Sequence, residues 1–100
     1  MNSYYSKIES IVLKYFNTTR EEMMAKSRKE PQATQRQIMY YSLSQCGMTE
    51  REIAKEYSIS CSLVNYAKSN VASWMRFNRS IGKQVSEILA QIRRYNESID

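Results

Sequence analysis

One hundred residues are enough for one small domain with a modest core, and 42% apolar with 25% charged side chains is an ordinary globular balance. The formal charge of +5 favours an anionic partner such as nucleic acid or a membrane surface, yet no apolar run approaches the roughly 18 residues of a membrane span. The chain has no histidine, which removes Ser-His and Cys-His nucleophile pairs and Cys/His zinc fingers, and it has no glycine-rich phosphate loop.

Two glycines and one proline argue for helices over hairpins. Ser3 to Phe16 reads as the first helix, with Ile8, Ile11, Val12 and Tyr15 or Phe16 on its buried face. Asn17-Thr18 breaks it. Thr19 with Glu22 spells a capping box that opens a short helix carrying Met23 and Met24, a pair read as core filler. Residues 26–34, KSRKEPQAT, form a basic loop holding the single proline. A third helix is expected from Ala33 or Thr34 to Cys46, stopped by Gly47, with Ile38, Tyr41 or Met39, Leu43 and Cys46 facing inward. A last helix is expected from a Ser80 cap to about Tyr95, striped by Val85, Ile88, Leu89 and Ile92 and weakened slightly by Gly82.

Between these lies the stretch that organises the chain, Met48 to Trp74. Thr49 and Glu52 form a second capping box, and Ile53, Ala54 and Tyr57 share one face of a short helix. Ser58-Ile59-Ser60 interrupts the pattern, and Ser60 is a good N-cap for a helix in which Val64, Ala67, Val71 and Trp74 recur at helical spacing. Two helices over a three-residue turn, with a small Ala54 at the crossing and Ile59 as an apolar plug, predict a helix-turn-helix over residues 49–74. Helix-turn-helix patterns prefer glycine where this chain has Ser58, at a modest cost. A plain αα-hairpin that only packs a core is the alternative. The expectation is an all-α, single compact domain of five to six helices.

From about Ile8 to Arg94 the order of parts resembles the C-terminal DNA-binding domain of the bacterial replication initiator DnaA, whose helix-turn-helix is of the Trp-repressor kind. IESIVLKYFNTTREEMMAKSRK is similar to that family's opening. QRQIMYYSL resembles its "PRQ" helix start, with Arg36-Gln37 kept and Gln35 in place of the proline, and MTEREIAKEY looks like its "SLPEIG" helix. VSEILAQI fits the last helix in position and length. The resemblance implies a basic-loop arginine in the minor groove, which an ungapped count places at Arg28, and a recognition helix in the major groove. Here SISCSLV stands where the family has GGRDHTTV, one residue shorter, so Ser60, Cys61, Ser62 and Leu63 replace the base-reading Asp-His-Thr-Thr. The family's target sequence therefore does not carry over. The resemblance does not extend to the initiator's ATP-hydrolysing domain.

With the second helix docked conventionally, the major-groove candidates are Ser60, Cys61, Ser62, Asn65, Tyr66 and Ser69. Asn65 is the most specific of these, because an amide bonds adenine N6 and N7 together. Ser60 can instead spend its hydroxyl on the cap, and Tyr66 can pack into the core. Arg28 is the minor-groove candidate, a guanidinium suited to a narrow electronegative groove, with a solvated loop charge as the alternative. Lys26, Lys29, Arg36, Arg51 and Lys68 are phosphate candidates. Cys46 and Cys61 have no metal-ligand spacing and read as reduced thiols; oxidation of Cys61, near a helix N-terminus, would block docking. The sequence thus predicts a non-catalytic, sequence-specific binder of double-stranded DNA. No metal, small-molecule cofactor or membrane is expected, and the location is cytoplasmic and nucleoid-associated. Eight tyrosines support the alternative of a helical protein-interaction module, because tyrosine is enriched at interfaces. Structured-RNA binding through the basic loop is a third reading.

Overall fold

The computed structural model describes residues 1–25 and 32–98. Six helices follow in order: α1 (Ser3–Tyr15), α2 (Arg20–Met24), α3 (Gln32–Gln45), α4 (Glu50–Tyr57), α5 (Cys61–Phe77) and α6 (Arg79–Ser98). Among the described residues there is no strand, so the chain is all-α. The predicted boundaries hold to within about two residues at most ends. Lys26, Arg28 and Lys29 lie outside the described residues.

Helix α3 is the central rod, packed against α1, α2, α4, α5 and α6. Ile38, Met39, Tyr40, Ser42 and Leu43 are all buried along it, a wider face than a single stripe would give. That environment corrects the expected inner face: Tyr41 and Cys46 are only half-buried, whereas Tyr40 is buried. A helix contacted on several sides loses the one-sided pattern from which a buried face is read. Ile8 and Val12 of α1, Ile53 and Ala54 of α4, Val64, Ala67 and Val71 of α5, and Val85, Ile88 and Ile92 of α6 complete one core. Ser42 is fully buried there, and its hydroxyl has no hydrogen-bond partner among the described residues.

Three helix ends close by one device. After α3 the chain turns left-handed at Gly47, and the N–H groups of Gly47 and Met48 reach back to Ser44 O and Leu43 O, both at 3.1 Å. Asn17 does the same after α1, and Ser58 after α4, where Ile59 N–H donates to Ala54 O at 2.9 Å. This is the paired back-bonding of a Schellman stop, which satisfies carbonyls the helix would otherwise leave open. Ser58 sits at φ 55°, ψ 48°, in the left-handed region that glycine enters at least cost.

Two caps depart from expectation. Thr19 accepts from Glu22 N–H, but the Glu22 carboxylate takes the Thr18 hydroxyl at 3.0 Å instead of returning to the Thr19 backbone, so that box is half-formed. The last helix is capped by Asn78, whose side chain accepts from Ile81 N–H at 3.1 Å, and not by Ser80. Asn78 leaves α5 extended and so can serve the next helix directly, only one residue after α5 ends. Gly82 has a packing role that its helix propensity hides. A Cβ there would meet the Met75 Cα and O at 3.3 Å, so the α5 end and the α6 start approach backbone to side-chain-free backbone.

Candidate nucleic-acid interface

Helix α4 starts with the reciprocal capping box expected of it. Thr49 Oγ1 accepts from Glu52 N–H at 3.1 Å, and Glu52 Oε1 accepts from Thr49 N–H at 3.0 Å. The box holds the Glu52 carboxyl below the usual carboxylate range. Ile53 and Ala54 face the core, Ser58 turns the chain, and half-buried Ile59 packs against the core between α4 and α5. Ser60 then opens α5, and its side chain accepts from Leu63 N–H at 3.1 Å. Of the two uses read for the Ser60 hydroxyl, the structure shows the cap.

Along α5, Val64, Ala67 and Val71 are buried. Ser62, Asn65, Tyr66 and Ser69 lie opposite, at the i, i+3, i+4, i+7 spacing of a single helical strip, and all are exposed. Tyr66 has 60% of its surface in water, so the core-packing option for it is not taken. Cys61, the first helical residue, is an exposed free thiol. The side chains of Cys61, Ser62, Asn65 and Ser69 have no hydrogen-bond partner among the described residues. The structure thus brings the predicted major-groove candidates of α5 onto one open surface.

The phosphate candidates are less uniform. Arg51 is exposed and pairs with no carboxylate among the described residues. Lys68 Nζ lies 3.2 Å from Glu50 Oε1, an ion pair that ties α5 to the start of α4. Arg36 donates through one guanidinium nitrogen to Met23 O and Ala25 O, each at 2.9 Å, and so clasps the end of α2 from the first turns of α3.

Two residues beside this surface escaped the sequence reading. Leu63 is 45% exposed, although a leucine in a helix is ordinarily assigned to the core. With Tyr66, Ala33, Arg36, Gln37 and Tyr40 it lines a depression of about 150 Å³ between α5 and α3. Gln37 accepts from the Asn70 side-chain amide at 2.8 Å, a cross-helix bond that fixes α5 on α3. Leu63 lies about 40° around the helix from buried Ala67, so its angle alone assigns it to the apolar side, and its exposure comes from its place in the first turn of α5. Nothing in the sequence pairs Gln37 with Asn70.

Charge sorts the helices further. Glu21 and Glu22 open α2, and Glu50 and Glu52 open α4, as the positive end of a helix dipole favours. Helices α5 and α6 have no acidic residue in the first turn, and from Ser58 to Ser86 the chain contains no Asp or Glu at all. Among the described residues no cluster of three His, Cys, Asp or Glu could hold a metal ion, and no helix is long and apolar enough to cross a membrane. No family model matches this chain.

Proposed function

We propose that this chain is a sequence-specific, non-catalytic binder of double-stranded DNA and a diverged relative of the initiator's C-terminal domain. In this reading α4, the Ser58 turn and α5 act as a helix-turn-helix. The observation that carries it is the strip on α5: exposed side chains without hydrogen bonds among the described residues, opposite a buried face, in a stretch of sequence free of carboxylates. No acidic side chain belongs to the strip, the Glu50 carboxylate that reaches α5 is neutralised by Lys68, and the first turns of α5 present the groups that read base edges. Asn65 reads adenine, Ser62 and Ser69 bond bases or bridging water, and Tyr66 and Leu63 supply apolar contact. Arg51 and Lys68 neutralise phosphates, and Arg28 enters the minor groove beside an A·T-rich flank. Lys26, Lys29 and Arg36 add backbone contacts. The protein acts in the cytoplasm on the nucleoid.

Selection from a randomised duplex pool tests this reading. A short enriched motif is expected, weakened at one base position in Asn65→Ala by about 5- to 100-fold and at an A·T-rich flank in Arg28→Ala. Absence of any binding at low salt overturns it. The exposed Leu63–Tyr66 pair would then favour the second reading, a docking surface for a protein partner.

A further inference from the structure

Phe77 is 81% exposed, far more than any other large apolar side chain among the described residues, and duplex recognition by the start of α5 does not use it. It sits at the elbow where α5 ends and α6 begins. The Arg76 guanidinium lies 5.6 Å from its ring centre, and Arg79 and Lys83, one turn apart on α6, are both exposed. Among the described residues none of these three cations pairs with a carboxylate. Glu87, the next acid along α6, accepts the Tyr15 hydroxyl instead of facing Lys83 in an ion pair. The elbow therefore carries three cations without a carboxylate partner among the described residues, and an exposed aromatic ring beside one of them.

Its position separates it from the first turns of α5. Phe77 lies eleven residues beyond Tyr66, about 16 Å along the axis at ~1.5 Å per residue. A helix that enters a major groove about 12 Å wide by its first turns carries that ring past the groove rim. Phosphates alone would satisfy the cations but offer a phenyl ring nothing. Unpaired bases offer both a phosphate chain and flat π faces, and a ring flanked by a guanidinium is the arrangement on which they stack. A lipid surface would also attract the charges, but one phenylalanine provides little apolar area to insert.

We infer that the elbow formed by Arg76, Phe77, Arg79 and Lys83 is a second nucleic-acid site, for single-stranded nucleic acid whose bases stack on Phe77. The site does not depend on the duplex reading. The test measures fluorescence anisotropy of the whole chain with labelled oligo(dT) of about 15 nucleotides and with an abasic strand of equal length and charge. Wild type is expected to prefer oligo(dT) about tenfold. Phe77→Ala is expected to abolish that preference while leaving the circular dichroism spectrum unchanged, because the ring packs on nothing in the core. Arg76→Gln with Arg79→Gln is expected to weaken both strands and to lower the salt slope by about 0.7 per charge removed. Asn65→Ala is expected to leave oligo(dT) binding unchanged, which separates this site from the duplex surface. Equal binding of the two strands by wild type overturns the proposal. So does a preference retained in Phe77→Ala, or a Phe77-dependent attachment to phosphatidylglycerol vesicles with no preference between strands.

Discussion

The two sides of the α4–α5 turn use polar groups in opposite ways. On the α4 side Glu50, Glu52, Glu56 and Tyr57 are occupied within the fold, and only Arg51 and Lys55 have no partner among the described residues. Arg20 reaches from α2 to Glu56 O and Glu56 Oε2, both at 2.9 Å, comes within 3.3 Å of Glu9, and lies over the Tyr57 ring at 4.6 Å. Tyr57 donates its hydroxyl to Glu9 on α1, and the Arg20 hydrogen bond holds the Glu56 carboxyl below the usual range. On the α5 side, among the described residues, Ser62, Asn65 and Ser69 have no such partners, and beyond them Arg76 has only its contact with Phe77. The α4 side spends its polar chemistry on holding three helices together, and the α5 side leaves it for something outside the molecule. Substitutions should therefore divide into those that move stability and those that move binding.

The largest effect is expected in alkali. Burial, and then the hydrogen bond to Glu9, push the Tyr57 hydroxyl far above its ordinary range; burial pushes up Tyr40, while burial and then Glu87 push Tyr15 to about 12. An unfolded tyrosine ionises near pH 10, so above that pH the unfolded chain binds fewer protons than the folded one and stability falls as pH rises. Each withheld proton costs about 1.4 kcal/mol per pH unit until the folded group itself titrates. Denaturant melts at pH 7, 10, 11 and 12 should show an accelerating loss. Tyr57→Phe should remove about one proton from that slope while costing about 1 kcal/mol at pH 7. An unchanged slope would show that Tyr57 is free to ionise.

Arg20→Met keeps the aliphatic stem and removes the charge. The expected loss is about 1 kcal/mol, or about 4–8 °C in Tm, at the low end for such a cluster because 38% of the Arg20 side chain is in water. Duplex and oligonucleotide affinities measured well below Tm should not change. A weakened duplex complex with intact stability would place Arg20 in the interface and break the division between the two sides.

Ser58→Gly acts at the boundary between them. A left-handed non-glycine residue costs about 1–2 kcal/mol, and glycine returns about 0.4–1 kcal/mol of that as unfolded-state entropy. A net gain of about 0.5 kcal/mol, a rise of a few degrees in Tm, is expected. A fall would mean that the serine hydroxyl contributes a contact stronger than the strain it brings.

How far this division could be read from the chain follows from its physics. Local signals carried well: the Thr49–Glu52 box, the Ser60 cap, the Gly47 stop and the apolar stripes of α1, α5 and α6 are set by neighbours within a turn or two. At Ser58 the sequence showed only a glycine preference left unmet, and the serine takes the left-handed conformation there. Long-range pairings were not legible. Tyr57 to Glu9, Arg20 to Glu56 and Asn70 to Gln37 span tens of residues, and nothing in one partner names the other. The candidate surface was legible as a list of residues on one side of a helix, but not as an open strip, since openness depends on what the rest of the fold leaves uncovered. The exposure of Phe77 follows from its angle: eleven residues beyond Tyr66, it lies about 20° around α5 from that ring, on the side away from Val64, Ala67 and Val71.

The smallest expected effect is a null, and it sharpens the comparison most. Ser62→Ala, Asn65→Ala and Ser69→Ala remove exposed groups that bond to nothing among the described residues, so each should change stability by less than about 0.5 kcal/mol. Alanine is the better helix former, which could even raise Tm slightly at these interior positions. If the three melt with the wild type and lose duplex affinity, the strip's polar groups serve binding alone. If Asn65→Ala lowers Tm by several degrees, its amide holds the fold and no longer qualifies as a dedicated base reader. The null in stability therefore makes any loss of affinity interpretable, and thermal melts of the three variants should precede every binding measurement on them.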